Sequence, residues 1–205
     1  MKDEETAALD ALQESFSSGS MSASAYLKDI AKFTKNCTNL DDVSTLIFYC
    51  LADESGQGIA AATNVADQAL NRFTARGYKP TQRNGEDVTK AVDALIVADS
   101  FAKYSRPNDE KKYWEWYEIA LQNAANSFDY RLLSGSLIDA CKNIEGNNLD
   151  PDRKHVTAMV RKAADMCLAE GNIRGMDDVA YMAKNQLQDK ELTKYVNALK
   201  KKMSK

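Results

Sequence analysis

Asp177-Asp178-Val179-Ala180-Tyr181-Met182-Ala183-Lys184-Asn185-Gln186-Leu187 opens on two acidic residues and then places Val179, Met182, Ala183 and Leu187 three or four positions apart. That is the spacing of an α-helix with one apolar face, and the leading carboxylates suit the positive end of a helix dipole. The same acidic-acidic-Val start stands at Asp41-Asp42-Val43 and at Glu86-Asp87-Val88, and a further copy aligns on Leu133 without an acidic pair. The anchors Val43, Val88, Leu133 and Val179 lie 45, 45 and 46 residues apart. Matching offsets are mostly apolar or small: Leu46, Ile47 and Cys50 in the first copy, Ala91, Val92 and Leu95 in the second, Leu137 and Ala140 in the third. Each copy follows a helix with an Ala-bearing stripe, such as Tyr117-x-x-Ala120-Leu121 or Val160-x-x-Ala163-Ala164. A two-helix unit of this length is what an α-solenoid stacks. Helix phase alone makes offsets of about three, four and seven agree once one anchor is matched. The constant interval and the acidic starts therefore carry the argument, and a non-repeating helical bundle is the alternative.

Outward from these anchors the apolar spacing is helical nearly everywhere. A short amphipathic helix begins near Ala7 and breaks in the Ser-rich stretch 15–20. Helices are expected over 22–36, from Asn39 or Asp41 to about Asp53, and over 58–76, 86–104, 130–145, 151–170, 177–187 and 190–203, with another starting at Asn108 or Asp109. Asp150-Pro151 reads as a cap followed by proline at the first helical position. Residues 76–85, rich in polar residues and breakers, read as a loop. No alternating run of β-branched residues suggests a strand. The domain plan is a short N-terminal helix and break over 1–20, then one all-α domain over 21–205.

The stretch from Lys162-Ala163-Ala164-Asp165-Met166-Cys167 through Asp177-Asp178-Val179-Ala180 to Gln188-Asp189-Lys190-Glu191-Leu192 resembles one helix-pair repeat. On it, residues 25–203 are similar to the broad tetratricopeptide-like and HEAT-like helical-repeat families. The tetratricopeptide pattern itself is not met: Trp114 and Tyr117 stand too close together, no Leu-Gly pair follows them, and the period is longer. The resemblance implies protein binding.

With 205 residues, 44% hydrophobic and 28% charged, the chain can bury a real core without disulfides or metal. Only 3 Pro and 9 Gly argue against a turn-rich β fold. Twenty-seven basic against 30 acidic residues give a net charge of -3, which disfavours nucleic-acid binding. The lysines Lys200, Lys201, Lys202 and Lys205 read as a solvated helix end. Cys37, Cys50, Cys141 and Cys167 form no short-spaced ligand pairs and only His155 could assist them, so neither a metal nor a cofactor is expected. Free thiols among apolar residues suit a reducing compartment. No signal-peptide core and no apolar run of spanning length is seen, so the expectation is a soluble cytoplasmic protein without membrane contact.

No catalytic constellation stands out. His155 neighbours Arg153 and Lys154 and reads as a surface residue. Glu115 and Glu118 read as solvated charges beside exposed Lys111 and Lys112. Gly56-Gln57-Gly58 lacks the third glycine of a phosphate loop, and Ser134-Gly135-Ser136 reads as close helix packing rather than a nucleophile elbow. The most unusual pentapeptide is Tyr113-Trp114-Glu115-Trp116-Tyr117. Its aromatics occupy two adjoining stripes, which are either both buried between helices or one of them exposed as a hot spot. The loop 76–85 adds Arg76, Tyr78, Lys79 and Arg83. The candidate contact residues are therefore Tyr113, Trp114, Trp116, Tyr117, Arg76, Tyr78, Lys79 and Arg83. The expected function is a non-catalytic protein-interaction module that binds another protein on a helical-repeat surface. The alternatives are a nucleic-acid-binding helical repeat and a helical bundle or enzyme with a small-ligand pocket.

Overall fold

The computed structural model describes residues 1–74, 78–103, 107–144 and 149–204. The described residues are all-α apart from one small hairpin. The order is α1 (Asp3–Ser17), α2 (Ala23–Lys32), a 3-10 turn (Phe33–Asn36), α3 (Leu40–Cys50), α4 (Gly56–Thr74), β1 (Gln82–Arg83), β2 (Glu86–Asp87), α5 (Lys90–Ser100), α6 (Glu110–Asn123), α7 (Ser127–Asn143), α8 (Lys154–Glu170), α9 (Ile173–Tyr181), a π turn (Met182–Gln186) and α10 (Lys190–Met203). No helix among the described residues is long and apolar enough to cross a membrane.

The chain divides into two compact units, one of Met1–Val88 with Ile96–Trp116 and one of Thr89–Leu95 with Tyr117–Lys205. In the first, α3 packs on α4, and α2 touches α1, α3 and α4. Its core holds Leu9, Tyr26, Ile30, Leu46, Ile47 and Ala66, all fully buried. The Tyr26 hydroxyl donates to the Tyr49 carbonyl at 2.8 Å, so this buried ring also satisfies its polar end. In the second unit α8 is the central element and touches α7, α9 and α10. Its buried stripe is Val156, Val160, Ala163, Ala164 and Cys167, small enough for neighbouring helices to come close.

One local device recurs, once in each unit. Asn39 caps α3 by accepting the Asp42 N–H at 2.9 Å, and Asp42 accepts the Thr38 N–H at 2.6 Å. Asn126 caps α7 by accepting the Asp129 N–H at 2.9 Å, and Asp129 accepts the Ala125 N–H at 3.0 Å. Each is a variant of the capping box in which the Asp reaches past the Asn cap to the residue before it. They relate α3 to α7 by 87 residues rather than the 90 that separate Val43 from Leu133. Leu133 is thus matched to Leu46.

The three acidic pairs do not share a structural place. Asp41-Asp42 lies in the first turn of α3. Glu86-Asp87 is strand β2, and the helix expected from 86 begins only at Lys90, where the Thr89 hydroxyl caps it by accepting the Val92 N–H at 3.2 Å. Asp177-Asp178 sits within α9, which starts four residues earlier at Ile173 under an Asn172 cap. The expectation of no strand is corrected by β1 and β2, which pair antiparallel across Asn84-Gly85. Both turn residues have positive φ, 55° and 82°, the conformation that Asn-Gly favours and that suits a two-residue hairpin. Proline does not open α8 as expected. That helix starts at Lys154, yet Asp150 still serves it by accepting the buried Val156 N–H at 2.8 Å.

Candidate functional site

The aromatic pentapeptide lies on α6. Tyr113, Trp116 and Tyr117 are core side chains, at most 2% exposed, and Trp114 is half-buried against Tyr113 with ring centroids 5.7 Å apart. Phe73 of α4 meets both Trp116, at 6.0 Å, and Tyr78, at 5.1 Å. Tyr78 is therefore tied to Trp116 through Phe73. The Tyr117 hydroxyl donates to the Leu133 carbonyl at 3.2 Å. Lys79 and Arg83 are exposed, and Arg83 stands 3.8 Å from Asp41. Arg76 lies outside the described residues.

Lys112 corrects the expectation of an exposed lysine. Its side chain is buried at the α4–α6 contact, where Nζ pairs with Asp67 at 2.5 Å and Glu115 at 2.6 Å. The two carboxylates hold its pKa above the ordinary lysine value against the cost of burial. Glu115 is thus half of an ion-pair bridge rather than a free acid. His155 is exposed in the first turn of α8.

Three exposed large apolar side chains gather elsewhere. Phe128, Leu132 and Tyr181 are 51%, 37% and 59% exposed, and the three line one groove of about 290 Å³. Phe128, Arg131 and Leu132 sit at i, i+3 and i+4 on α7. Asp178, Tyr181 and Met182 repeat that spacing on α9 and the π turn. Gly135 of α7 faces Met182: a Cβ there would touch Met182 Cε at 3.8 Å, an ordinary contact that an alanine could make. Arg131 forms an ion pair with Asp178 across the groove, and its guanidinium carbon lies 5.7 Å from the Phe128 ring centroid.

The π turn shapes the far wall. The Leu187 N–H reaches back five residues to the Met182 carbonyl at 2.9 Å, so the backbone widens where Met182 and Gln186 meet the groove. Such a groove is at the small end for a drug-sized ligand and is open and apolar, which suits a few side chains of another polypeptide. The groove shares no residue with the pentapeptide. The available signal was the adjacent pairs Leu132-Leu133 and Tyr181-Met182, since one member of each must leave the buried stripe of its helix.

A second, more polar pocket of about 280 Å³ lies beside Cys141, Asp150, Arg153 and Gln186. Arg153 holds a left-handed backbone, φ 55°, and donates to the Leu187 carbonyl at 3.0 Å. Burial pushes the Cys141 thiol up to about 11, which keeps it protonated and weakly nucleophilic near neutrality. Among the described residues no cluster of His, Cys, Asp and Glu could hold a metal ion.

No protein-family model, curated protein or solved structure matches this chain. The reading of function therefore rests on the geometry above.

Proposed function

We propose that this chain is a non-catalytic protein-interaction module whose contact surface is the groove between α7 and α9. The observation that carries the reading is the convergence of Phe128, Leu132 and Tyr181, three of the five large apolar side chains exposed among the described residues, on one concave site. Scattered exposed apolar residues are ordinary, whereas grouped ones around a groove mark a contact site. Aromatic and arginine side chains of the kind found here dominate binding energy where they become buried against a partner. The capping box that recurs in both units supports a repeated helical architecture, in keeping with the resemblance to helical-repeat proteins. The free thiols suit a cytoplasmic setting.

The test is site-specific photo-cross-linking in cells. A photoreactive residue is placed at Leu132, at Tyr181, or at exposed Asn197 as the control. Adducts to another polypeptide at 132 and 181, absent at 197, are expected. Equal labelling at all three positions, or none, refutes the groove as the contact surface.

A further inference from the structure

We infer that the occupant of the α7–α9 groove is an amphipathic helix of another protein that carries a carboxylate beside its apolar anchors. This rests on the groove being the contact surface, and it adds what the partner must look like.

Shape comes first. Both walls are helices that present residues at i, i+3 and i+4 toward the groove. A cleft between two helical ridges is filled best by a third helix, whose own i, i+4 and i+7 side chains enter between them. Phe128 and Leu132 supply one apolar wall, Tyr181 and Met182 the other.

Charge then selects among such helices. The chain as a whole has a net charge of -3, but its charges are unevenly divided. The unit holding the groove has 15 basic and 13 acidic residues, and the other unit 12 and 17, so the net charges are +2 and -5. The two carboxylates that α9 carries in succession are already answered: Asp177 by Lys200 at 2.5 Å and Asp178 by Arg131. Arg131 is not used up. Its side chain is only 19% exposed, one Nη1 is bonded to Asp178, and its buried Nε–H meets no acceptor among the described residues. A guanidinium offers five donors in a planar fork that fits a carboxylate bidentately. The buried Nε lies out of a partner's direct reach, but the partly exposed side chain of Arg131 lines the groove, and an incoming Asp or Glu gains the fork as Asp178 gives way. Asp178 is 59% exposed, so its existing pair is weak enough to be shared or displaced.

The probe is a fluorescently labelled helical peptide of about fifteen residues, with Leu at i, i+4 and i+7 and Glu flanking them. One twin carries Lys for Glu, and another carries Ala for Leu. Binding to the full chain is read by polarisation at low and moderate salt. The Glu peptide is expected to bind at least about tenfold more tightly than its Lys twin, and the Ala twin to lose binding. Arg131→Gln should erase the Glu-over-Lys preference. Asp178→Asn, which frees the fork, should tighten the Glu peptide about threefold, a gain that a merely structural role for the pair would not produce.

A Lys twin that binds as well as the Glu peptide, a preference surviving Arg131→Gln, or an Ala twin that binds unchanged overturns the acidic-helix inference and leaves the groove reading in place. So does the absence of any peptide binding when cross-links at 132 are present. Concentration-dependent dimers in sedimentation that Leu132→Glu dissolves would make a second copy the occupant. A single-stranded oligonucleotide that displaces the Glu peptide with a steep salt dependence would make nucleic acid the occupant. Either result overturns the inference. Only the joint failure of cross-linking and peptide binding removes both readings.

Discussion

The Thr89 hydroxyl donates to Asp129 Oδ1 at 2.6 Å, which ties the start of α5 to the start of α7. Thr89 itself caps α5, and Asp129 accepts the Ala125 N–H as half of the box that caps α7. One buried carboxylate thus serves two helix N-termini. Asp129→Ala should lower unfolding stability by about 1–3 kcal/mol, since it leaves two part-buried donors, the Thr89 hydroxyl and the Ala125 N–H, without their acceptor. Asp129→Asn should cost less, because its one remaining oxygen still accepts. Urea unfolding compares the two, and equal losses would mean that packing rather than hydrogen bonding governs this site.

Gly58 is a matter of space. A Cβ built there would lie 2.1 Å from the Asp53 carbonyl oxygen and 2.7 Å from that of Cys50. Both are backbone atoms that cannot swing aside. Gly58→Ala should therefore destabilise the chain by more than about 1 kcal/mol, the reverse of the gain alanine brings inside an unhindered helix. Gly56→Ala, with nothing within 4 Å, is the control. A thermal melt in which the two variants agree would contradict the close approach of α4 to the end of α3.

The thiols should be inert near neutrality. Burial pushes Cys37 and Cys50 up to about 12 and Cys141 up to about 11, and it raises Cys167 as well. A disulfide reagent at pH 8 should label the native chain slowly at every position and the urea-unfolded chain rapidly at all four cysteines. Fast labelling of native Cys37 would contradict its protected setting.

Those same shifts fix the sign of an alkaline transition. Unfolded thiols ionise near 9 and unfolded tyrosine near 10, whereas folded Cys37, Cys50 and Tyr49 wait until about 12. The folded state holds more protons across that window, so stability is fully present below pH 9 and is lost as pH rises toward 12. Tyr49 contributes through burial and through its hydroxyl bond to Asp10. The thermal midpoint should fall steadily above pH 9, and Cys50→Val should flatten part of that fall. A midpoint that rises above pH 9 would reverse the assignment.

Groove substitutions should separate binding from folding. Phe128 and Tyr181 are more than half exposed, so Phe128→Ser and Tyr181→Ser should each change stability by no more than about 0.5 kcal/mol. Leu133→Ser, at the fully buried neighbour of Leu132, should cost several times that, about 2–4 kcal/mol. Chemical unfolding of the three variants checks the contrast.

The helical class was legible in the sequence because its signal is periodic and long, as in the Val156–Cys167 stripe of α8. What escaped was local. Asn84-Gly85 is a strong hairpin signal, but its strands are two residues each and carry no alternating pattern to read. Asp177-Asp178 looked like a helix start because acidic residues gather there, yet Asn172 caps the helix a turn earlier. The groove was least legible. Leu132 and Leu133 are the same residue type side by side, and only the placement of α9 against α7 says which one faces out. For the pentapeptide the sequence left two readings, both stripes buried or one exposed as a hot spot, and Tyr113, Trp116 and Tyr117 fill the interior.

A π turn is an α-helix that has absorbed one extra residue, and here it falls between Met182 and Gln186. Loss of a single residue in that interval would restore regular winding and leave the flanking turns in phase, so only the side chains inside the turn would change place. Tyr181, upstream of it, would stay where it is, while Gln186 would leave the wall it now helps to form. A one-codon deletion or insertion at this place is therefore a ready evolutionary step that reshapes what the chain can grip, and it does so without altering a single core side chain of α8.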